Sequence, residues 1–291
     1  MDQAQQLRNV IKKQNQKAIR HTARVLTVTS GKGGVGKSNL SVNLAIQFRK
    51  MGKRVLIFDA DFGLANVEVM FGAIPKFNLS DLIYRGKDIS EIITEGPMEI
   101  GFISGGSGIL GLNNLTKEQI GYLVKCLEKL STMTDVIIVD TGAGISDSVL
   151  EFVLSSPEVI LVSTPDPSSL TDSYSLLKAL HHHPDFAKNK SQIYMVSNRV
   201  TNAKEGRQLF DKLDSVVKQF LSGKIQYLGA VPQDSALEKA VRQQKPVSLS
   251  SPGSKSAEAF ENIAKAIMNE NDVVVSGKWG ISKLINKIIN R

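Results

Sequence analysis

The residues with the plainest chemistry lie between positions 31 and 38. There Gly31-Lys32-Gly33-Gly34-Val35-Gly36-Lys37-Ser38 satisfies the spacing G-x-x-x-x-G-K-[ST]. Glycines at these places let backbone N–H groups turn inward onto phosphates. The Lys37 ammonium reaches the β- and γ-phosphates of a nucleoside triphosphate, and the Ser38 hydroxyl ligates Mg2+ at the start of the helix that Asn39 continues. A glycine-rich turn without function has a similar composition, so context decides. The apolar run VLTVTS precedes the loop and the helical pattern NLSVNLAIQFRKMG follows it.

Three aspartates complete a phosphate site. Asp140 ends the apolar run VIIV, the place of the carboxylate that holds the Mg2+ shell in phosphate-loop enzymes. Asp59 and Asp61 end the run VLIF and point into the same crevice. For these two, capping of the next helix is an equal alternative on the residues alone.

The elements that must position these residues are also readable. VLTVTS at 25–30, RVLIFDAD at 54–61, IGFISGG at 100–106, DVIIVDTG at 135–142, EVILVST at 158–164, QIYMVSNRV at 192–200 and IQYLGAVP at 225–232 are continuous apolar runs rich in β-branched residues. Such runs suit parallel strands buried on both faces. Between most of them lie helical patterns long enough for a crossover, including KEQIGYLVKCLEKL and EGRQLFDKLDSVVKQFL. The expectation is an α/β fold with one doubly wound, mostly parallel sheet flanked by helices, binding its ligand beyond the carboxyl ends of the strands. This ATPase domain is expected over 25–272, with a segment 1–24 before it and a linker and helix over 273–291 after it.

Composition narrows the class. With 291 residues, 42% hydrophobic and 22% charged, the chain falls in the soluble globular range. No run approaches the ~20 apolar residues of a spanning helix, and the polar start MDQAQQLRNVIKK lacks the apolar stretch of a secretory signal. A cytoplasmic protein is expected. The single cysteine, Cys126, excludes an intramolecular disulfide and reads as a helix-packing residue. His181, His182 and His183 point about 100° apart on a helix end and cannot converge on one ion. They read as a polar helix terminus. Ser104 to Gly108 lacks the lysine of a second phosphate loop and reads as a turn after the third strand.

The net charge of +8 is concentrated at the two ends. Residues 1–24 carry six bases against Asp2, residues 275–291 carry four bases and no acid, and the body between them is close to neutral. Charged partners are therefore expected at the termini.

Taken in order, KGGVGKS with its lysine after the first glycine, FDADFGLAN at 58–66, VDTGAG at 139–144, SNR at 197–199 and VPQD at 231–234 resemble the MinD/ParA family of deviant-Walker ATPases across roughly residues 25–270. The resemblance implies ATP and ADP as ligands with Mg2+. It also implies an ATP-dependent homodimer in which Lys32 crosses to the partner's phosphates, much as an arginine finger acts in trans. By family match Asp61 orients the attacking water and Asp59 and Asp140 support magnesium. Gly142 and Gly144 let switch II move, and Asn198, Arg199 and Pro232 belong to the nucleotide site, Asn198 and Pro232 framing the adenine.

Within that family the appendages decide the cargo. Iron–sulfur carriers use paired cysteines, which this chain lacks, and DNA-segregating relatives use basic body surfaces, which a near-neutral body does not offer. In KWGISKLINKIINR, by contrast, Ile281, Leu284, Ile285, Ile288 and Ile289 form one helical stripe, with Trp279 at its start and Lys283, Lys287 and Arg291 on the polar side. A terminal helix packed on its own core is the bland alternative. The basic and isoleucine-rich pattern favours an anchor lying in an anionic membrane interface, so that the protein joins the inner face of the cell membrane in its ATP state.

At the other end, Asp2-Gln3-Ala4-Gln5-Gln6-Leu7-Arg8 resembles the DQAxxLR motif of the flagellar-number ATPases of the FlhG (YlxH, FleN) family. That resemblance implies stimulation of the GTPase of FlhF, a signal-recognition-particle-type partner, through Asp2, Gln3, Ala4, Leu7 and Arg8. It also implies contact of the body with flagellar switch (C-ring) proteins. The expected function is an ATPase that regulates flagellar number or placement, with no specific nucleic acid partner. The alternatives are a DNA-partitioning or a division-site ATPase of the same family.

Overall fold

In the computed structural model, residues 23–61, 66–106, 122, 126, 129–184, 186 and 191–269 are described. The segment Asp2 to Arg8, expected to activate a partner, and the stretch Trp279 to Ile289, expected to bind membrane, lie outside them, as do residues 62–65 and 107–121.

The chain runs β1 (Arg24–Ser30), α1 (Lys37–Lys50), β2 (Val55–Ala60), α2 (Asn66–Phe71), α3 (Leu79–Tyr84), β3 (Thr94–Glu95) and β4 (Gly101–Ile103). It continues through β5 (Val136–Ala143), α4 (Asp147–Ser155), β6 (Glu158–Ser163), α5 (Pro167–His182), β7 (Gln192–Val200) and α6 (Ala203–Leu221). The last described elements are β8 (Gln226–Pro232), α7 (Ser235–Arg242), α8 (Val247–Ser250) and α9 (Lys255–Asn269). All eight strands form one sheet in the order β3-β4-β2-β5-β1-β6-β7-β8. Every pairing is parallel except the antiparallel contact of β3 with β4. The doubly wound sheet expected from the seven apolar runs is present. The eighth strand, β3, has two residues and no apolar run of its own; it exists because Thr94 and Glu95 pair with Phe102 and Gly101 at the sheet edge.

Both faces of the sheet are covered, which is why its central strands read as unbroken apolar runs rather than alternating ones. Leu26, Val28, Ile57, Ile138, Ile160 and Val196 face the layer containing α1 and α9, where Leu44, Phe48 and Phe260 pack. Their sequence neighbours face the other way. Val25, Phe58 and Val139 meet Leu79 and Leu82 of α3 together with Cys126, while Val159, Leu161 and Met195 meet Leu176 of α5 and Leu213 of α6. Cys126 is buried, as a packing residue should be. His181 stacks on Phe186 at 4.8 Å between ring centroids. No group of three or more metal-ligating residues occurs among the described residues.

Parallel register explains why the aspartates converge. Val28 of β1 stands beside Asp140 of β5, and Asp140 stands beside Asp59 of β2. The glycine loop begins three residues after Val28, so loop and carboxylates share the carboxyl edge of three adjacent strands.

Candidate functional site

The loop between β1 and α1 is held from two sides by close backbone packing. A Cβ on Gly31 would stand 2.2 Å from the backbone carbonyl carbon of Asp172 in α5, and one on Gly36 would stand 2.3 Å from the Asn198 side-chain nitrogen. Gly36 also takes φ 100° as it caps α1, a left-handed conformation that favours glycine. Asn198 donates from Nδ2 to the Val35 carbonyl at 2.7 Å, and Ser30 Oγ donates to the Lys32 carbonyl at 2.7 Å. A Cβ at Gly33 or Gly34 would meet nothing within 4 Å, so space is left over the loop on its outer side.

That space is a cleft of about 620 Å³ lined by Gly33, Lys37, Ser38, Asn39, Asp61 and Gly142, among others. Lys37 is 8% exposed. Burial pulls its ammonium below the usual lysine range, while Asp140 and Asp61 oppose that shift. Asp140 is fully buried, and burial pushes its carboxyl up to about 6 against the restraining effect of Ser38, Ser41 and Lys37. Ser41 Oγ donates to Asp140 Oδ1 at 2.9 Å. The other oxygen, Oδ2, is buried and takes no hydrogen bond among the described residues.

Asp59 and Asp61 have separate tasks. Asp59 accepts the backbone N–H of Asp61 at 3.1 Å and that of Val67 at 3.2 Å, so its carboxylate closes the loop leading into α2. Burial and the nearby Asp140 push this carboxyl up to about 8. Asp61 is half-buried and faces the cleft, and Asn66 Nδ2 donates to its Oδ2 at 3.0 Å. Burial raises its pKa, with Lys37 and Asn66 opposing. A Cβ on Gly142 would lie 3.4 Å from Asp61 Oδ1. Gly144, at φ 90°, donates its N–H to the Ser30 carbonyl at 2.9 Å. Residues 142–144 therefore run between the glycine loop and Asp61.

A second cleft, of about 390 Å³, adjoins the first. Gly36, Asn39 and Arg199 line both. Asn198, Pro232 and Asp234 line the second alone, which places the SNR and VPQD segments on either side of one slot beside the phosphate cleft. Asp234 holds this wall by accepting from the backbone of Ala236 in α7 and of Ser256 in α9. Arg199 has φ 56°, uncommon for a residue with a side chain, where β7 ends.

Lys32, unlike Lys37, does not line the phosphate cleft. Its ammonium donates to Asp166 Oδ2 at 2.7 Å and to the Ser168 hydroxyl. Asp166 and Ser168, like Ser41 and Asn66, are site residues that sequence reasoning missed. An Asp-Pro-Ser string straight after a buried strand is the available signal for the first pair, since Asp166 N-caps α5 over Pro167.

The residues fit a nucleoside triphosphate with Mg2+ on this structure's own terms. The cradle is open where phosphates would enter, and a buried lysine stands at its floor. The Asp140 carboxylate lies beside the Ser38 hydroxyl and keeps a buried oxygen, Oδ2, without a hydrogen bond among the described residues, an oxygen-rich corner suited to a hard cation.

Comparison with known proteins agrees with this geometry. Residues 26–247 match the model of the CobQ/CobB/MinD/ParA nucleotide binding domain. The antiactivator FleN of Pseudomonas aeruginosa is 38% identical over 85% of this chain and 87% of its own length. The flagellum site-determining protein YlxH of Helicobacter pylori is 33% identical over 99% of this chain and 98% of its own. Among solved structures, the cell division ATPase MinD of Pyrococcus furiosus superposes with a TM-score of 0.67 at 24% identity, covering 85% of this chain and 99% of that one. MinD of Pyrococcus horikoshii, complexed with Mg-ADP, superposes with a TM-score of 0.67 at 23% identity, covering 88% of this chain and 100% of that one. ATP or ADP with Mg2+ are the cofactors of this family, and no helix among the described residues is long and apolar enough to cross a membrane. A glycine cradle with a buried lysine at its floor, a family match over residues 26–247 and relatives of this identity place the chain in the MinD/ParA family of P-loop ATPases.

Proposed function

We propose that this ATPase is a nucleotide-timed switch controlling flagellar number or placement, active as an ATP-dependent homodimer at an anionic membrane. The observation that carries the reading is the position of Lys32. It lines neither cleft, is 38% exposed and is directed to the start of α5, whereas Lys37 stands at the phosphate floor. A lysine so placed is available to the nucleotide of a second copy.

Within one chain the backbone N–H groups from Gly33 to Ser38 hold the phosphates and Lys37 neutralises the β- and γ-phosphate charge. Ser38, Asp59 and Asp140 would hold Mg2+, partly through water, and the ion would supply Lewis-acid polarisation of the phosphate oxygens. Asp59 contributes by shaping the loop that presents Asp61, and Asp61 orients the attacking water. Gly142 and Gly144 permit the segment beside Asp61 to move with the γ-phosphate. Asn198, Arg199 and Pro232 form the adenine slot. Lys32 completes the partner's site, so turnover requires the dimer.

The flagellar assignment rests on FleN and YlxH as relatives and on the segment Asp2 to Arg8, with FlhF and switch-ring proteins as the partners. Apposing two copies of the stripe around Ile285 raises their avidity for a bilayer by roughly 10²- to 10⁴-fold, so nucleotide state controls attachment. The test is stimulation of the partner GTPase by the full chain and by a Gln3→Ala, Leu7→Ala variant. Stimulation lost by the variant at unchanged ATP turnover supports the reading; equal stimulation by both contradicts it.

A further inference from the structure

Asp59 and Asp61 are both held from the start of one short helix. Helix α2 opens at Asn66, whose Nδ2 donates to Asp61 Oδ2 at 3.0 Å, and the next backbone N–H, that of Val67, donates to Asp59 Oδ2 at 3.2 Å. The helix is seated by its inner side. Val67 is fully buried, and Phe71 packs on Phe102 of the sheet with ring centroids 5.7 Å apart. A helix packed in this way cannot roll freely, so the Asn66 amide is presented from a fixed place. Asn66 and Asp61 line the same phosphate cleft. With Oδ2 engaged by α2, the other oxygen of Asp61 lies on the Gly142 side, 3.4 Å from where a Cβ on that glycine would stand. The donor is neutral, which matters. A lysine or arginine in its place would pair with the carboxylate and offset its charge, whereas an amide fixes its direction and leaves the charge for a water molecule. Among the described residues the Asn66 side chain caps no backbone N–H of α2, so its hydrogen bond serves Asp61 rather than the helix.

We propose that Asn66 is a positioning residue for ATP hydrolysis, its amide holding Asp61 Oδ2 so that Oδ1 is kept on the Gly142 side of the phosphate cleft. This rests on reading Asp61 as the carboxylate that orients the attacking water, and it adds the residue that aims that carboxylate. The need for an aiming group is physical. The terminal torsion of an aspartate is broad, so a half-buried carboxylate without a donor on one oxygen samples several directions. A misplacement of about 1 Å costs up to ~10²-fold in rate without any loss of binding. Asn66 removes that freedom from one side, and the close approach of Gly142 limits it from the other.

The experiment measures single-turnover hydrolysis of saturating ATP with Mg2+, together with ATP affinity and melting temperature. The full chain is compared with Asn66→Ala, Asn66→Asp, Asp61→Ala and the Asn66→Ala, Asp61→Ala double variant. Aspartate suits a helix start as well as asparagine does, so Asn66→Asp keeps α2 while exchanging the donor for a second anion facing Asp61. Asn66→Ala is expected to lose roughly tenfold to 10²-fold in rate with ATP affinity within about threefold of the unaltered chain. Asn66→Asp is expected to lose at least as much at an unchanged melting temperature. The double variant is expected to be no slower than Asp61→Ala, because Asn66 acts only through that carboxylate. A rate for Asn66→Asp equal to that of the unaltered chain overturns the proposal and leaves Asn66 as a helix start. A double variant slower than Asp61→Ala by a further factor of about ten overturns it as well, since Asn66 then acts on the nucleotide directly. Full hydrolysis by Asp61→Ala overturns the water-orienting reading and the proposal with it, whereas lost hydrolysis in Asp61→Ala beside full hydrolysis in both Asn66 variants overturns the proposal alone.

Discussion

Lys32 Nζ lies 2.7 Å from Asp166 Oδ2, so the lysine assigned to a partner's phosphates is held in cis at the start of α5. Asp166 also accepts from the Ser168 N–H, and Lys32 first and Ser168 second hold its carboxyl down to about 2. A depressed carboxyl keeps such a contact at every pH above its ordinary range and gives it up only as pH falls toward 2. The pair is therefore intact throughout the working range. It is solvent-exposed and so adds little to the stability of the fold, and in the proposed dimer it would aim the lysine.

Asp166→Ala is accordingly expected to lower ATP turnover by roughly threefold to tenfold, short of the ~10²-fold cost of misplacing a catalytic group outright. Nucleotide affinity of the monomer should be unchanged, because Asp166 lines neither cleft. Steady-state hydrolysis together with titration of a fluorescent nucleotide checks both halves, and full turnover in Asp166→Ala would remove the aiming role.

Lys37→Gln tests the phosphate floor. Removing a buried ammonium leaves phosphate charge facing Asp140 and Asp61 without compensation, at a cost of about 2–5 kcal/mol or roughly 30- to 4,000-fold in affinity. Isothermal titration with ADP and Mg2+ measures it. Affinity within a few fold of the unaltered protein would mean that the phosphates bind elsewhere.

How far these residues were legible differs for a physical reason. Gly31 to Ser38 form a contiguous string whose spacing is the signal, and Asp140 ends an apolar run, so both are local facts of the sequence. Asp166 and Lys32 are 134 residues apart and meet only because β1 and β6 are neighbours in the sheet. The hydrogen bonds by which Asp59 closes its loop were equally hidden. They depend on which carboxylate turns back to the N–H groups of Asp61 and Val67, a matter of loop path rather than of spacing. Strand β3 escaped because two residues cannot show a period.

Gly31 supplies a prediction in which packing, not charge, decides. A methyl group at this position would overlap the α5 backbone at Asp172, which cannot swing aside as a side chain can. Gly31→Ala should displace the loop from α5, lower the melting temperature by the equivalent of about 1–3 kcal/mol and weaken nucleotide binding together with it. Calorimetry in the absence and presence of ADP reports both, and an unperturbed melting curve would show that the contact yields easily.

In the proposed switch ATP assembles two copies through Lys32, and hydrolysis, set up by Asp61, takes them apart. Light scattering on size-exclusion fractions of Asp61→Ala with ATP and Mg2+, beside the Lys32→Ala, Asp61→Ala double variant, tests it most directly. Loss of a water-orienting carboxylate should slow turnover by roughly 10²- to 10⁴-fold. Asp61→Ala is then predicted to elute with the mass of two chains and one unhydrolysed ATP per chain, and the double variant with the mass of one chain that still binds ATP. A monomeric Asp61→Ala saturated with ATP, or a double variant that dimerises as well as the single, would contradict the account.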